Sequence, residues 1–303
     1  MPTPRDWRGE AAAAFPAALF DEPMRLHTTF RIGGPADCYL EAASLRELRR
    51  LLRFCRRKRL PALILGWGSK LLVSDRGIRG MTVRLTGEFE EVRFLAGGRV
   101  AAGAGVRVPR LVSMAAAKGL SGLEPLAGIP GTVGGALVMN AGTVEGSIGD
   151  VVTKVRTVGP DGAGTGSISC AAARFGYRNS GLGRKVVVGC ELRLKASDKV
   201  GIITRIREYQ RRRSLTQPIS SHTVGSIFKN PPGVPAAKLI EACGLKGAVC
   251  GGARVSSKHS NFIENSGEAT CADVLSLVRR IRRTVSARRG VDLELEMRVV
   301  GDA

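Results

Sequence analysis

The chain has 303 residues, enough for about two domains with real cores, and 44% apolar content with mean hydropathy near zero excludes a disordered or low-complexity protein. A net charge of +21 raises nucleic acid as a partner, but 5% aromatic content and the lack of any nucleic-acid module motif argue against it. No apolar run approaches the roughly 20 residues of a membrane span, and "MPTPRDWRGEAAAAFPAALFDEP" lacks a signal-peptide core, so a cytoplasmic protein without a membrane span is expected.

After an N-terminal extension over residues 1–22, the strand-like "ADCYLEA" (36–42) leads to a helix over 44–59 that opens on a Ser44-x-x-Glu47 capping box. Leu45, Leu48, Leu52 and Cys55 share one face of that helix. The strand "ALIL" follows and completes a β-α-β beginning. Its Gly-rich turn "GWGSKLLVSD" (66–75) ends in neither Gly-Lys-Ser nor Gly-Lys-Thr and does not open a helix, so it is neither a Walker loop nor a Rossmann fingerprint. Gly66, Gly68 and Ser69 nevertheless offer close backbone approach and N–H donors of the kind a phosphate needs.

A β-rich stretch comes next: "MTVRL", a hairpin turning at Gly97-Gly98, a short helix after Pro109, "VVTKVRTVGPDGAG" with an Asp161-Gly162 turn, and "VVVGCELRL" (186–194). Within it, "GLEPLAGIPGTVGGALVMNAG" (122–142) is glycine-rich and nearly uncharged, which predicts a buried loop wrapped around something flat or phosphorylated. Beyond a boundary at 197 the pattern changes. Helix 199–213, a Pro-rich crossing, helix 236–243, a Ser/Asn-rich segment, helix 270–288 and a final alternating strand "VDLELEMRVV" are expected. The arginine-rich stretches 49–59, 205–213 and 279–289 read as the solvated outer faces of amphipathic helices, with Val274, Leu277, Val278, Ile281 and Val285 on the inner face of the last. Seven scattered cysteines with no C-x-x-C pair indicate neither a disulfide framework nor a metal site.

"TTFRIGGPAD", "GWGSKLLVSDRG", "GLEPLAGIPGTVGGALVMNAG", "FGYRNS", "GSIFKNP", "AAKLIEACGLKG", "RVSSKHSNFIEN" and "LELEMRVVG" run in this order along the chain. In that order they resemble the UDP-N-acetylenolpyruvoylglucosamine reductase (UDP-N-acetylmuramate dehydrogenase, MurB) family, over residues 23 to 301. The resemblance implies an α+β protein: a two-part FAD-binding domain of the vanillyl-alcohol-oxidase type at 23–197, with subdomains 23–80 and 81–197, and a smaller α+β substrate-binding domain at 198–303. It implies non-covalent FAD, NADPH as co-substrate, UDP-N-acetylenolpyruvoylglucosamine as substrate, and a role in peptidoglycan precursor synthesis. The sequence leaves the oligomeric state open, with a monomer favoured, and no nucleic acid and no metal are expected. A flavin oxidase of the same fold is the alternative, and its usual histidine tether is missing from both glycine loops: the three histidines are 27, 222 and 259.

By resemblance, Gly66, Gly68, Ser69, Lys70 and Leu71 cradle FAD together with Gly128, Ile129, Pro130, Gly131, Thr132, Gly134, Gly135, Asn140, Ala141 and Gly142. Reducing an enolpyruvyl ether puts hydride on the vinyl terminus and negative charge beside the carboxylate, so a site needs donors on that carboxylate and one acid. The family pattern places Arg178 and Glu296 on the carboxylate and makes Ser226 the proton donor, helped by cations such as Lys229. Glu294 is the rival to Glu296. Tyr177, Lys229, Asn230 and Arg298 are the implied substrate contacts. There are two departures from the pattern. Lys70 stands where the family usually has Asn, adding a counter-charge for a pyrophosphate, and the short spacing after Arg178 leaves no room for the tyrosine-bearing insertion, which marks the shorter subclass.

Overall fold

The computed structural model describes residues 6–301; the first five residues of the expected extension lie outside that range. The chain forms two compact units, each assembled from separated stretches. The first holds the described residues up to Asp21, Asp37–Trp67 and Gly80–Arg211. The second holds Glu22–Ala36, Gly68–Arg79 and the described residues from Arg212 onward.

This arrangement differs from a linear division at 197, because two early stretches pack with the C-terminal residues. Phe30, Ile32 and Leu72 are buried in one apolar cluster with Val274, Leu277 and Ile281. Polar ties reinforce it: the Asn265 amide donates to the Phe30 carbonyl at 2.9 Å, and the Thr29 hydroxyl donates to the Thr223 carbonyl at 2.8 Å. The Asp75 carboxylate accepts the N–H groups of Cys271 and Ala272 at 2.8 and 3.0 Å. Asp75 thus satisfies two of the orphan donors that every helix start leaves over.

In the first unit, a four-stranded sheet has the order Leu19–Pro23, Pro35–Ala42, Ile78–Leu85, Ala62–Leu65. The expected β-α-β is present but split. Helix Leu45–Lys58 joins Pro35–Ala42 to Ala62–Leu65, while Ile78–Leu85 lies between the two strands and pairs in parallel with the second. The Ser44 hydroxyl accepts from the Glu47 N–H at 3.2 Å, and Glu47 reaches back to the Ala43 N–H at 2.8 Å, one residue earlier than a strict capping box. Leu48, Leu51, Leu52, Phe54 and Cys55 are buried, while Arg50, Arg53, Arg56 and Arg57 are exposed.

A five-stranded antiparallel sheet follows, in the order Thr165–Ser169, Val152–Val158, Val186–Arg193, Arg99–Gly103, Val92–Leu95. Both sheets contribute to one core, in which Leu40, Met81, Val83, Val100, Val155 and Leu192 are buried with Leu48 and Leu111. Helix Lys199–Thr216 fully buries only Ile202, but Ile206 and Tyr209, one and two turns further on, are half-buried against the first core, so its arginine-rich stretch has a narrow apolar face.

The second unit contains a four-stranded antiparallel sheet, His222–Ser226, Phe262–Asn265, Ala253–Val255, Val249–Cys250, and helix Cys271–Arg289 with a complete Thr270/Asp273 capping box. The final alternating strand is shorter than expected. Only Arg298–Val300 is strand, and it pairs in parallel with Leu71–Val73. Residues before it run along 227–229 instead: the Lys229 N–H donates to the Glu294 carbonyl and the Glu296 N–H to the Ile227 carbonyl, both at 2.8 Å. Among the described residues no helix is long and apolar enough to cross a membrane.

Candidate active site

In the first unit the two glycine loops meet. A Cβ built on Gly66 would stand 2.6 Å from the Thr132 hydroxyl, so only glycine lets the chain pass there. Thr132 caps helix Val133–Met139 by accepting from the Gly135 N–H, and its backbone bridges to Arg107. The Arg107 guanidinium lies 3.3 Å from the centre of the Trp67 ring and that of Arg84 lies 5.1 Å from it. Arg84 and Arg107 stand outside both glycine loops, and the tie between Arg107 and Thr132 is tertiary, with no local signal in the sequence.

Not every expected cofactor residue offers its groups outward. The Val133 and Gly134 N–H groups donate to the carbonyls of Val106 and Ala104 at 2.8 Å each. Asn140 ends the helix at φ +42°, and its buried amide accepts from the Gly149 N–H and donates to the Gly176 carbonyl. The Ala141 N–H donates to Ala136, and Gly142 is pressed against the Gly146 carbonyl, 2.4 Å from where a Cβ would sit. These three hold the fold.

The loop is also less buried than expected. Leu123, Glu124, Leu126, Ala127, Thr132 and Val133 are buried, whereas Gly128, Pro130 and Gly135 are exposed. Gly135 is informative because its φ is not positive and a Cβ there would meet nothing closer than the Thr132 hydroxyl at 3.7 Å. Neither backbone geometry nor packing within the chain requires glycine, although glycine costs about 1 kcal/mol against alanine in a helix interior. A bare, exposed strip of backbone beside a stacked cation fits a flat, phosphorylated cofactor such as FAD.

Asn140 and Ser180 also anchor the turn that carries Arg178. The Ser180 hydroxyl donates to the Val138 carbonyl at 2.9 Å, and Gly176 and Asn179 exchange two backbone hydrogen bonds, leaving Tyr177 and Arg178 at the corner. Arg178 has φ +54°, a conformation that is unfavourable for a residue with a side chain and that the surrounding bonds enforce. Its guanidinium lies 5.1 Å from the Tyr177 ring centre, and Tyr177 is exposed.

In the second unit, Ser226 and Glu296 come together. Strand His222–Ser226 breaks register against Phe262–Asn265 between Thr223 and Ser226, with Gly225 at φ +72°. Such bulges re-aim the side chain that follows. The Glu296 N–H donates to Ile227, the residue after Ser226, so backbone pairing sets the two side by side along the chain. Glu296 is 6% exposed and its carboxylate pairs with the Lys70 ammonium at 2.7 Å. Its rival, Glu294, points to solvent with a side chain 72% exposed and pairs with Lys229 at 2.5 Å. Lys229 is therefore engaged away from Ser226, and Lys70, expected among the cofactor residues, supplies the ammonium that reaches it: it donates to the Ser226 carbonyl at 2.9 Å. Asn230 accepts from the Ala236 N–H at 3.0 Å at the start of helix Ala236–Ala242, and Arg298 is exposed.

Comparison with known proteins gives the class first. Residues 36–164 match the model of an FAD binding domain, which makes the chain a flavoprotein with the two-part α+β architecture expected. Residues 217–300 match the model described as UDP-N-acetylenolpyruvoylglucosamine reductase, C-terminal domain. The reductase of that name from Moorella thermoacetica is 47% identical over 285 residues, covering 94% of this chain and 93% of its own length. The second such reductase of Symbiobacterium thermophilum is 44% identical, covering 92% and 91%. The crystal structure of UDP-N-acetylenolpyruvylglucosamine reductase from Thermus caldophilus superposes with a TM-score of 0.81 at 40% identity, covering 94% of this chain and 98% of that one. The chain belongs to the UDP-N-acetylenolpyruvoylglucosamine reductase family and is an FAD-containing oxidoreductase.

Proposed function

We propose that the chain reduces the enolpyruvyl ether of UDP-N-acetylenolpyruvoylglucosamine to UDP-N-acetylmuramate, with NADPH as the reductant, in cytoplasmic peptidoglycan precursor synthesis. The observation that carries this reading is identity of 47% over nearly the full length of a reductase of that name. FAD, when bound, would supply the redox chemistry that carries a hydride from NADPH to the substrate. Gly66, Gly68, Ser69 and Leu71 and the exposed Gly128, Pro130 and Gly135 are the residues we assign to holding it, with Arg107, bridged to Thr132, as the nearby positive charge.

The chain's own groups do the rest. Arg178 binds the substrate carboxylate, so that charge built up beside that carboxylate meets a fixed cation, and Glu296 is assigned to the same end of the substrate. Ser226 transfers its hydroxyl proton to that carbon and recovers a proton from solvent. Tyr177, Asn230, Arg298 and Lys229 are assigned to the remaining substrate. The test is anaerobic: NADPH should bleach the flavin and UDP-N-acetylenolpyruvoylglucosamine should restore its colour. A flavin that NADPH leaves oxidised refutes the reading.

A further inference from the structure

Lys70 sits in the glycine turn that follows strand Ala62–Leu65, yet its ammonium reaches Glu296, assigned to the substrate carboxylate, and the backbone of Ser226, assigned to proton transfer. Its carbonyl accepts the Arg298 N–H at 2.8 Å, and the next residue, Leu71, pairs with Arg298 in the parallel ladder. The backbone of Lys70 is thus fixed opposite the stretch 296–298. Its side chain then closes the arrangement from the other end, with the ammonium 2.7 Å from Glu296 Oε1 and 2.9 Å from the Ser226 carbonyl oxygen. Gly225 makes room for it: a Cβ there would stand 3.3 Å from Lys70 Nζ.

Two physical consequences follow. A carboxylate as enclosed as Glu296 needs a counter-charge to stay in one orientation, and the opposed lysine provides it. One ammonium bound to both a carboxylate and the neighbouring main chain also fixes the distance between them, and the main chain held is that of Ser226 itself. The ion pair adds no net charge where negative charge must build on the substrate.

We propose that Lys70 is a positioning residue for the reduction step, holding Glu296 and the backbone of Ser226 in register, and that it does not retain the cofactor. The proposal rests on the reductase reading and assigns Lys70 to one of its two half-reactions. In stopped-flow measurements on flavin-loaded protein, Lys70→Met should keep its FAD and be reduced by NADPH within about threefold of the wild-type rate. Its reoxidation by UDP-N-acetylenolpyruvoylglucosamine should slow by about 10- to 100-fold, the scale expected for misplacement of reacting groups by an ångström. Lys70→Arg, which keeps the charge, should recover most of that loss. If Lys70→Met does not accumulate as folded protein, Lys70→Gln takes its place with the same expected order.

FAD lost from Lys70→Met, an equal slowing of both half-reactions, no slowing of either, or Lys70→Arg as slow as Lys70→Met overturns the role of Lys70 alone. Wild-type flavin that is reduced by NADPH but not reoxidised by the substrate overturns the reductase reading, and the role of Lys70 with it.

Discussion

Gly135→Ala should move two properties in opposite directions. Gly135 is the third residue of helix Val133–Met139, it is exposed, and the added methyl would lie 3.7 Å from the Thr132 hydroxyl, an ordinary contact. Alanine is favoured over glycine by about 1 kcal/mol within a helix, and by roughly half of that in the first turn, where fewer bonds constrain the backbone. Protein stripped of flavin should therefore gain about 0.5 kcal/mol, or ~1 to 2 °C in Tm. The same methyl stands on the strip of backbone assigned to the cofactor and would hold it away. A tenfold loss of FAD affinity, about 1.4 kcal/mol, is expected. Thermal melts of the apoprotein and titration with FAD, followed by flavin fluorescence, read the two effects separately. A variant that is stabilised and still binds FAD as tightly as wild type would refute the argument that this glycine is bare for the cofactor's sake.

Ser226→Ala should leave NADPH-driven bleaching of the flavin nearly intact and slow reoxidation by the substrate about 10²- to 10⁴-fold, the usual cost of a lost general acid; equal effects on both steps would reduce the bulge at Gly225 to a structural turn. Asp75→Ala should cost about 1 to 2 kcal/mol by leaving two helix N–H groups unsatisfied, and Asp75→Asn should recover part of it, as the urea midpoint will show. Burial pushes the Cys38 and Cys271 thiols up to about 11 and those of Cys55 and Cys190 up to about 12. The folded state holds these protons more tightly than the unfolded chain does, so the stability they contribute is complete below about pH 9 and is lost as pH rises towards 11 to 12. At pH 8 a thiol reagent should reach only the half-buried Cys170 and Cys250 in native protein, and rapid reaction at a third site would contradict the burial.

Elements with local signals were legible in the sequence. The capped helices Leu45–Lys58 and Cys271–Arg289 carry both a start signal and a one-sided apolar pattern, and the hairpin at Gly97-Gly98 carries its turn residues. Helix Val133–Met139 was not legible, because seven residues opening on Val-Gly-Gly look like loop. The strands His222–Ser226 and Phe262–Asn265 were hidden for a related reason: both are short, and one is broken by a bulge.

At the site, the pattern "ExR" separated Glu296 from Glu294, and the two differ in setting, Glu296 being buried and Glu294 exposed. The partner of Glu296 could not be read, since nothing near Lys70 in sequence says that its ammonium crosses to residue 296. The motif "GLEPLAG" likewise hid a structural anchor. The Glu124 carboxylate, nearly sealed, accepts from the Gly122 N–H, the Ser121 hydroxyl and the Arg205 guanidinium, and so stands among the residues that hold the fold.

The second unit is discontinuous, and this bears on how the chain matures as it is synthesised. The first unit ends at Arg211, so every residue of its core has been translated while much of its partner is still unmade. Phe30 and Asp75 are made early, but the groups that receive them, Asn265 and the start of helix Cys271–Arg289, follow 235 and 196 residues later. Closing loops of that length is entropically slow, though only modestly costly at equilibrium. The stretches 22–36 and 68–79 therefore cannot take up their native packing until residues 265–281 have been made. Lys70 waits with them, because its ion pair with Glu296 cannot close until a residue far along the chain has been made.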